Sequence, residues 1–355
     1  GMSQEEARER FRQTDRDIIK MERRALRAQL SRSPITHGNA EGLVKDKTEL
    51  GLIKHVLQLK RPRTPLRDLL DRSGQAIQEM KPCFMMSPLS VAQYLKPGRC
   101  KFDMVVIDEA SQMKPEEAIG GLVRSGQIVV VGDPKQLPPT SFFDRVGASA
   151  RDEDEEDTET ANVESILEMA MHCWQPYRRL LWHYRSRHSS LIAFSNEQFY
   201  NRELIVFPAP VKNNPEYGVH MEKVNGQCKR GGTNTIEAQS IAEAAVDFMR
   251  QEAEKNEKQM RSLGVVAMNR SQTELILDEI NRLLQRTPDA YAYTEALENR
   301  SGGLENFFVK NLENVQGDER DVIYISATYG PDPDSGVVHQ RFGPINTDLG
   351  YRRLN

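Results

Sequence analysis

Asp108 and Glu109 stand side by side at the end of an apolar run, "FDMVVIDEASQM" from Phe102 to Met113. Two hard oxygen donors there suit a divalent cation carried by a polyphosphate. One carboxylate can hold the ion while the other takes a proton from an attacking water. Taken alone the pair is uninformative, because Asp278-Glu279 and Asp318-Glu319 also occur in the chain. What separates it is the next loop. The apolar run Ile128 to Val131 leads into "GDPKQLPPTSFF", where Gly132 permits a tight exit and Pro134, Pro138 and Pro139 stiffen the segment carrying Gln136. A fixed amide beside a carboxylate pair can sense a phosphate or orient a water. In a parallel sheet ligands bind beyond the carboxyl ends of the strands. Both loops are therefore expected at one edge.

The elements around them read as α/β. Short apolar runs at Cys83–Met86, Met104–Ile107 and Ile128–Val131 alternate with helical stretches "PLSVAQYL" and "PEEAIGGLV", the pattern of a parallel sheet covered on both faces. The alternation resumes with Leu180–Trp182, helices at Ser190–Phe199 and Ile236–Glu254, a strand at Val265–Met268, a helix at Gln272–Leu284 and a strand at Val322–Ser326. Ahead of these, helical periodicity from Glu5 to Leu30 and from Leu43 to Leu59, with Leu50, Ile53 and Leu57 on one face of the second, reads as a helical hairpin. The expected division is a hairpin over 1–64 and two α/β domains over 65–176 and 177–355.

With 355 residues, 38% hydrophobic and 28% charged, the chain suits a soluble protein of more than one domain. No apolar run approaches the ~20 residues of a membrane span. Cys83, Cys100, Cys173 and Cys228 are scattered without a C-x-x-C pair, which excludes a zinc ribbon or disulfide framework and fits a reducing cytoplasm. A net charge of -4 gives no overall pull towards nucleic acid. The run Asp152 to Asp157 reads as a solvated acidic loop. The opening Gly1-Met2 reads as a tag remnant, with the natural protein starting further upstream.

"VVIDEASQM" with "VVVGDPKQLPPTSFF" resembles motifs II and III of superfamily 1 helicases, in the branch that holds the nonsense-mediated-decay RNA helicase and its bacterial relatives. "LLWHYRSRHSSLIAFSNEQFY" (Leu180 to Tyr200) is similar to that branch's motif IV, and "LENVQGDERDVIYISATYG" (Leu312 to Gly330) to its motif V. The resemblance runs from about Arg67 to the end. It implies two RecA-like domains of the P-loop NTPase type, with ATP hydrolysed between them.

Carried onto this sequence, the resemblance gives Asp108 to Mg²⁺, through water, and makes Glu109 the general base. Gln136 would sense the γ-phosphate and Arg185 would contact it, with Arg187 as neighbour. Tyr184 would stack on adenine, and Gln316, Gly317 and Glu319 would hold the ribose. A single strand of nucleic acid, DNA in preference to RNA, would meet Ser87, Pro88, Pro139, Thr140, Arg270 and Thr328. Phosphoryl transfer is mainly positioning and charge neutralisation, so a metal, a water-orienting group and an arginine are the expected parts.

The phosphate loop G-x-x-x-x-G-K-[ST] is missing: the sequence has no Gly-Lys dipeptide. "GYRRLN" also ends ahead of the family's last arginine motif. The expectation is a central piece of a helicase or translocase that hydrolyses little ATP alone. Two alternatives stay open, the motor of a nuclease or restriction-type protein with an attached nuclease module, and a nucleic-acid-binding scaffold without hydrolysis.

Overall fold

The computed structural model describes residues 3–139, 165–209, 217–229, 232–340, 342–346 and 350–355. The acidic run at 152–157 and Thr140, one of the expected strand contacts, lie outside them. Two compact units result: residues 1–134 with 138–175, and residues 135–137 with 176–355. Every strand pairing in either unit is parallel.

In the first unit, α1 (Gln4–Arg32) starts from a capping box in which Ser3 and Glu6 satisfy each other's backbone amides. None of its residues is buried. Helix α2 (Glu49–Gln58) buries Gly51 and Leu52, whereas Leu57 stays 79% exposed. The expected face of Leu50, Ile53 and Leu57 is thus rotated towards Leu52. α2 packs on α3 (Leu66–Met80), which leaves helical geometry at Ser73. That break frees backbone amides in mid-helix, and the Glu49 carboxylate accepts one of them, from Ala76, at 2.9 Å.

After α4 (Pro88–Tyr94), strand β1 (Phe102–Ile107) pairs with β2 (Ser125–Val130) across α5 (Pro115–Leu122). α6 (Ile166–Cys173) lays Ile166 and Leu167 against Ile107 and Ala110. The expected strand Cys83–Met86 is irregular backbone. A strand needs a ladder partner. This segment instead sends Phe84 edge-on to Phe102, ring centres 5.2 Å apart, into the cluster of Leu70, Leu95 and Cys100.

Burial pushes the Cys100 thiol above its ordinary value, while Cys83 and Cys173 are exposed. A thiolate is the reactive form. An aromatic disulfide reagent is therefore expected to modify Cys83 and Cys173 promptly in the native protein and Cys100 only on unfolding. Equal rates at all three would contradict the packing described.

The second unit opens with a two-stranded pair, β3 (Trp182–His183) and β4 (Ile205–Val206), around α7 (Ser190–Gln198). Its larger sheet has the order β6-β5-β7, from β5 (Leu263–Ala267), β6 (Phe308–Asn311) and β7 (Val322–Ser326). β5 is buried at every position because it has a neighbour on both sides and helices over its faces. These are α8 (Thr235–Ala253), α9 (Arg270–Leu284) and α10 (Pro288–Ser301). Ala238, Ala242, Ala245 and Met249 recur down the inner side of α8 and meet Leu263, Val265, Ile276, Ile280 and Tyr293.

Candidate functional site

Ile107, the last residue of β1, is level with Val130 of β2, so both strands deliver their exit loops to the same edge. The backbone locks the two exits together: Val131 N–H donates to Ile107 O at 2.8 Å and Ala110 N–H to Val131 O at 2.9 Å. Gly132 is required by this closeness, since a Cβ there would lie 3.1 Å from the amide nitrogens of Ala110 and Ser111. Between these bonds Asp108 and Glu109 are both exposed. Glu109 takes the left-handed conformation, φ 52°, and its N–H donates to Asp108 Oδ1 at 3.0 Å. Non-glycine residues held in that region cost about 1–3 kcal/mol and cluster at functional positions. Gln112 Nε2 approaches Glu109 Oε2 at 3.5 Å.

No group of three or more His, Cys, Asp and Glu side chains that could cage a metal occurs among the described residues. An exposed carboxylate pair on a sheet edge nevertheless fits Mg²⁺, which keeps most of its waters and takes one or two carboxylates plus phosphates.

In the second unit, Tyr184 is 83% exposed just after β3. Arg185 next to it donates from Nε to Glu319 Oε2 at 3.0 Å, and Arg187 donates to Asp321 Oδ1 at 3.1 Å. Asp321 is held in turn by Ser262, whose N–H and hydroxyl both reach Oδ2 at 3.0 Å. Glu319 thus engages an arginine here. Gly317 takes φ 85° in the turn before β7. Residues 135–137 belong with this unit, where Gln316 Nε2 donates to Gln136 Oε1 at 3.2 Å. The geometry therefore groups Gln136 with Gln316, and Arg185 with Glu319.

The expected strand contacts fare differently. Ser87 is exposed, but its hydroxyl caps α4 by accepting from Ser90 N–H at 3.2 Å, with Pro88 in the first turn. Arg270 is 86% exposed at its side chain and pairs with Glu274 one turn on. Two expectations need correction. Pro139 is buried, so its ring packs inward instead of meeting a strand. Thr328 is fully buried, and its hydroxyl lies 3.3 Å from that of Ser326, so its side chain is committed to the interior.

Sequence reading missed the residues that surround Thr328: Asn234, Glu237 and Gln272. A signal existed. "NTIE" and "NRSQ" both carry Asn at a cap with Glu or Gln three residues on, the spacing of a capping box.

Two parallel α/β units with acids on one sheet edge and exposed arginines on a loop define the class of nucleotide-dependent P-loop-type proteins. Comparison with known proteins agrees and is more specific: residues 85–144 and 162–338 each match an AAA domain. An uncharacterized ATP-dependent helicase of Mycoplasma pneumoniae is 35% identical over 285 residues, 79% of this chain and 24% of that protein. Its counterpart in Mycoplasma genitalium is 34% identical over 287 residues, with the same shares. A putative helicase of Danio rerio, mov-10-B.1, is 28% identical over 264 residues, 63% of this chain and 23% of that protein. The chain belongs to the superfamily 1 helicases, and it spans about a quarter of the length of the relatives named.

Proposed function

We propose that the protein is the central part of an ATP-driven helicase or translocase acting on single-stranded nucleic acid, DNA in preference to RNA. The observation that carries this reading is the exposed Asp108-Glu109 pair on a strained exit turn at the ligand edge of β1. Asp108 is assigned to the nucleotide's Mg²⁺, through water. Magnesium, when bound, supplies neutralising charge on the terminal phosphates. Glu109 accepts the proton of the attacking water, and Gln136 orients that water or reports the γ-phosphate. Arg185, with Arg187 beside it, supplies positive charge from the second unit, and Tyr184 gives the adenine a flat exposed surface. Gln316, Gly317 and Glu319 form the turn assigned to the ribose. Four cysteines with no disulfide among the described residues suit a reducing cytoplasm.

The decisive experiment uses the full-length protein, with strand displacement of DNA and RNA duplexes carrying opposite single-stranded tails. ATP-dependent displacement with a DNA tail faster than with an RNA tail supports the proposal. No displacement of either, with no stimulation of ATP hydrolysis by single strands, overturns it. The 355-residue chain alone has no Gly-Lys phosphate loop. It is expected to bind oligonucleotides with an affinity falling in salt by a slope of about -0.7 per phosphate contact, while hydrolysing ATP at a negligible rate. Turnover equal to that of the full-length protein would refute the assignment of the missing cradle.

A further inference from the structure

Thr328 is the most constrained residue on the carboxyl edge of the second unit. It is β-branched, fully buried and left-handed at φ 66°, a combination that is a steric outlier for such a residue. The backbone closes tightly over it, with Tyr329 N–H donating to Ala327 O at 2.6 Å. Strain of this kind persists only where surrounding groups over-determine it.

Here those groups come from the starts of two helices. Glu237 Oε1 accepts from Thr328 N–H at 3.0 Å and from the Ser326 hydroxyl at 2.8 Å. Asn234 Nδ2 donates to Thr328 O at 3.2 Å. Both sides of the Thr328 residue are therefore tied to the first turn of α8. Gln272, fully buried in the first turn of α9, completes the set: its Oε1 accepts from Asn234 N–H at 2.8 Å, and its Nε2 donates to Asn234 O at 3.1 Å and to Ser326 Oγ at 3.3 Å.

In an ordinary capping box Glu237 would reach back to the Asn234 amide. That amide is taken by Gln272 instead, which frees the Glu237 carboxylate for the loop. Gly226 admits the cluster, because a Cβ there would sit 2.2 Å from Asn234 Oδ1. The product of this bonding is an exposed Ala327 held on a fixed turn directly after β7.

We propose that Asn234, Glu237 and Gln272 are positioning residues that fix the Ala327-Thr328 turn as a backbone contact for single-stranded nucleic acid in the second unit. The inference rests on the nucleic-acid reading above and moves the contact from the Thr328 side chain to the turn that Thr328 shapes. Loss of the clamp loosens the turn without removing a charged strand-facing group, so affinity falls while the salt slope stays.

The test is anisotropy of a labelled 20-nucleotide oligo(dT), and of oligo(U), with this chain. Glu237→Ala is expected to weaken binding at least ~5-fold with an unchanged salt slope. Thr328→Gly, which adopts the same φ without steric cost, is expected to stay within ~2-fold of wild type. Should Glu237→Ala fail to fold by circular dichroism, Glu237→Asp is read in its place. It keeps the charge but withdraws the carboxylate from Thr328 N–H, and the same loss is expected. Wild-type affinity in a folded Glu237→Ala or Glu237→Asp variant overturns the inference and leaves the helicase reading intact. Absence of binding by the wild-type chain to either oligonucleotide overturns the nucleic-acid reading and this inference with it.

Discussion

Replacing Arg185 by alanine in the full-length protein is expected to lower the turnover of ATP by ~10³-fold or more, the range typical of an arginine that stabilises charge in phosphoryl transfer. The effect should fall on kcat and leave KM for ATP nearly unchanged, because the contact assigned to it strengthens only in the transition state. Arg185→Lys should recover little, since an ammonium cannot reproduce the planar fork. In the structure the guanidinium leans on Glu319, with both side chains 73% exposed. Pairs so exposed are worth ~0–1 kcal/mol, too little to withhold the arginine from a triphosphate. Glu319→Ala should therefore not raise turnover by more than a few-fold. Steady-state hydrolysis with saturating oligo(dT) checks both variants, and a value for Arg185→Ala within tenfold of wild type would remove Arg185 from the chemistry.

The second large effect concerns stability. Glu252 is a fully buried carboxylate near the end of α8 that accepts from Lys255 Nζ at 2.7 Å, from Arg261 N–H at 2.9 Å and from Arg261 Nη2 at 2.8 Å. Arg261 also lies over the Phe248 ring, 5.2 Å from its centre. Burial pushes the carboxyl up, but these donors outweigh it and hold the group below its ordinary value of 4.5. Glu252→Ala strands two cations against the core and is expected to cost about 3 kcal/mol. Glu252→Gln retains an acceptor for the Arg261 amide and should cost about half that.

Because the folded value is the lower one, the stabilisation is complete above the ordinary carboxylate range. It disappears as pH falls through the depressed value. Urea denaturation of the second unit at neutral and mildly acidic pH reads both effects. A cost under 1 kcal/mol for Glu252→Ala, or an acid sensitivity the variant shares with wild type, would show the cluster to be incidental.

The acids of the first unit were legible because an apolar run ending in Asp108-Glu109, followed by a second run ending at Gly132, is what two adjacent parallel strands look like. The left-handed turn at Glu109 was not legible. Glutamate carries no preference for that conformation, and it arises from the bonds that join the two strand exits. Cys83–Met86 misled because hydrophobicity marks burial, and burial by an aromatic contact leaves the same trace as burial in a sheet. β6 is four residues long with charged Lys310 in its middle, too short and mixed to show period-two alternation. Thr328 looked like an outward residue of a polar loop. Its burial depends on Glu237 and Gln272, nearly a hundred and more than fifty positions away in the chain, polar residues that periodicity assigns to solvent.

The mutual bracing of Asn234 and Gln272 also has a mechanical side. α8 and α9 are stapled to each other at their amino ends and to the loop after β7, so none of the three shifts alone. A push on Ala327 is not absorbed by a compliant loop. It reaches the far end of the 19-residue α8, about 28 Å away, as the tilt of a stiff lever.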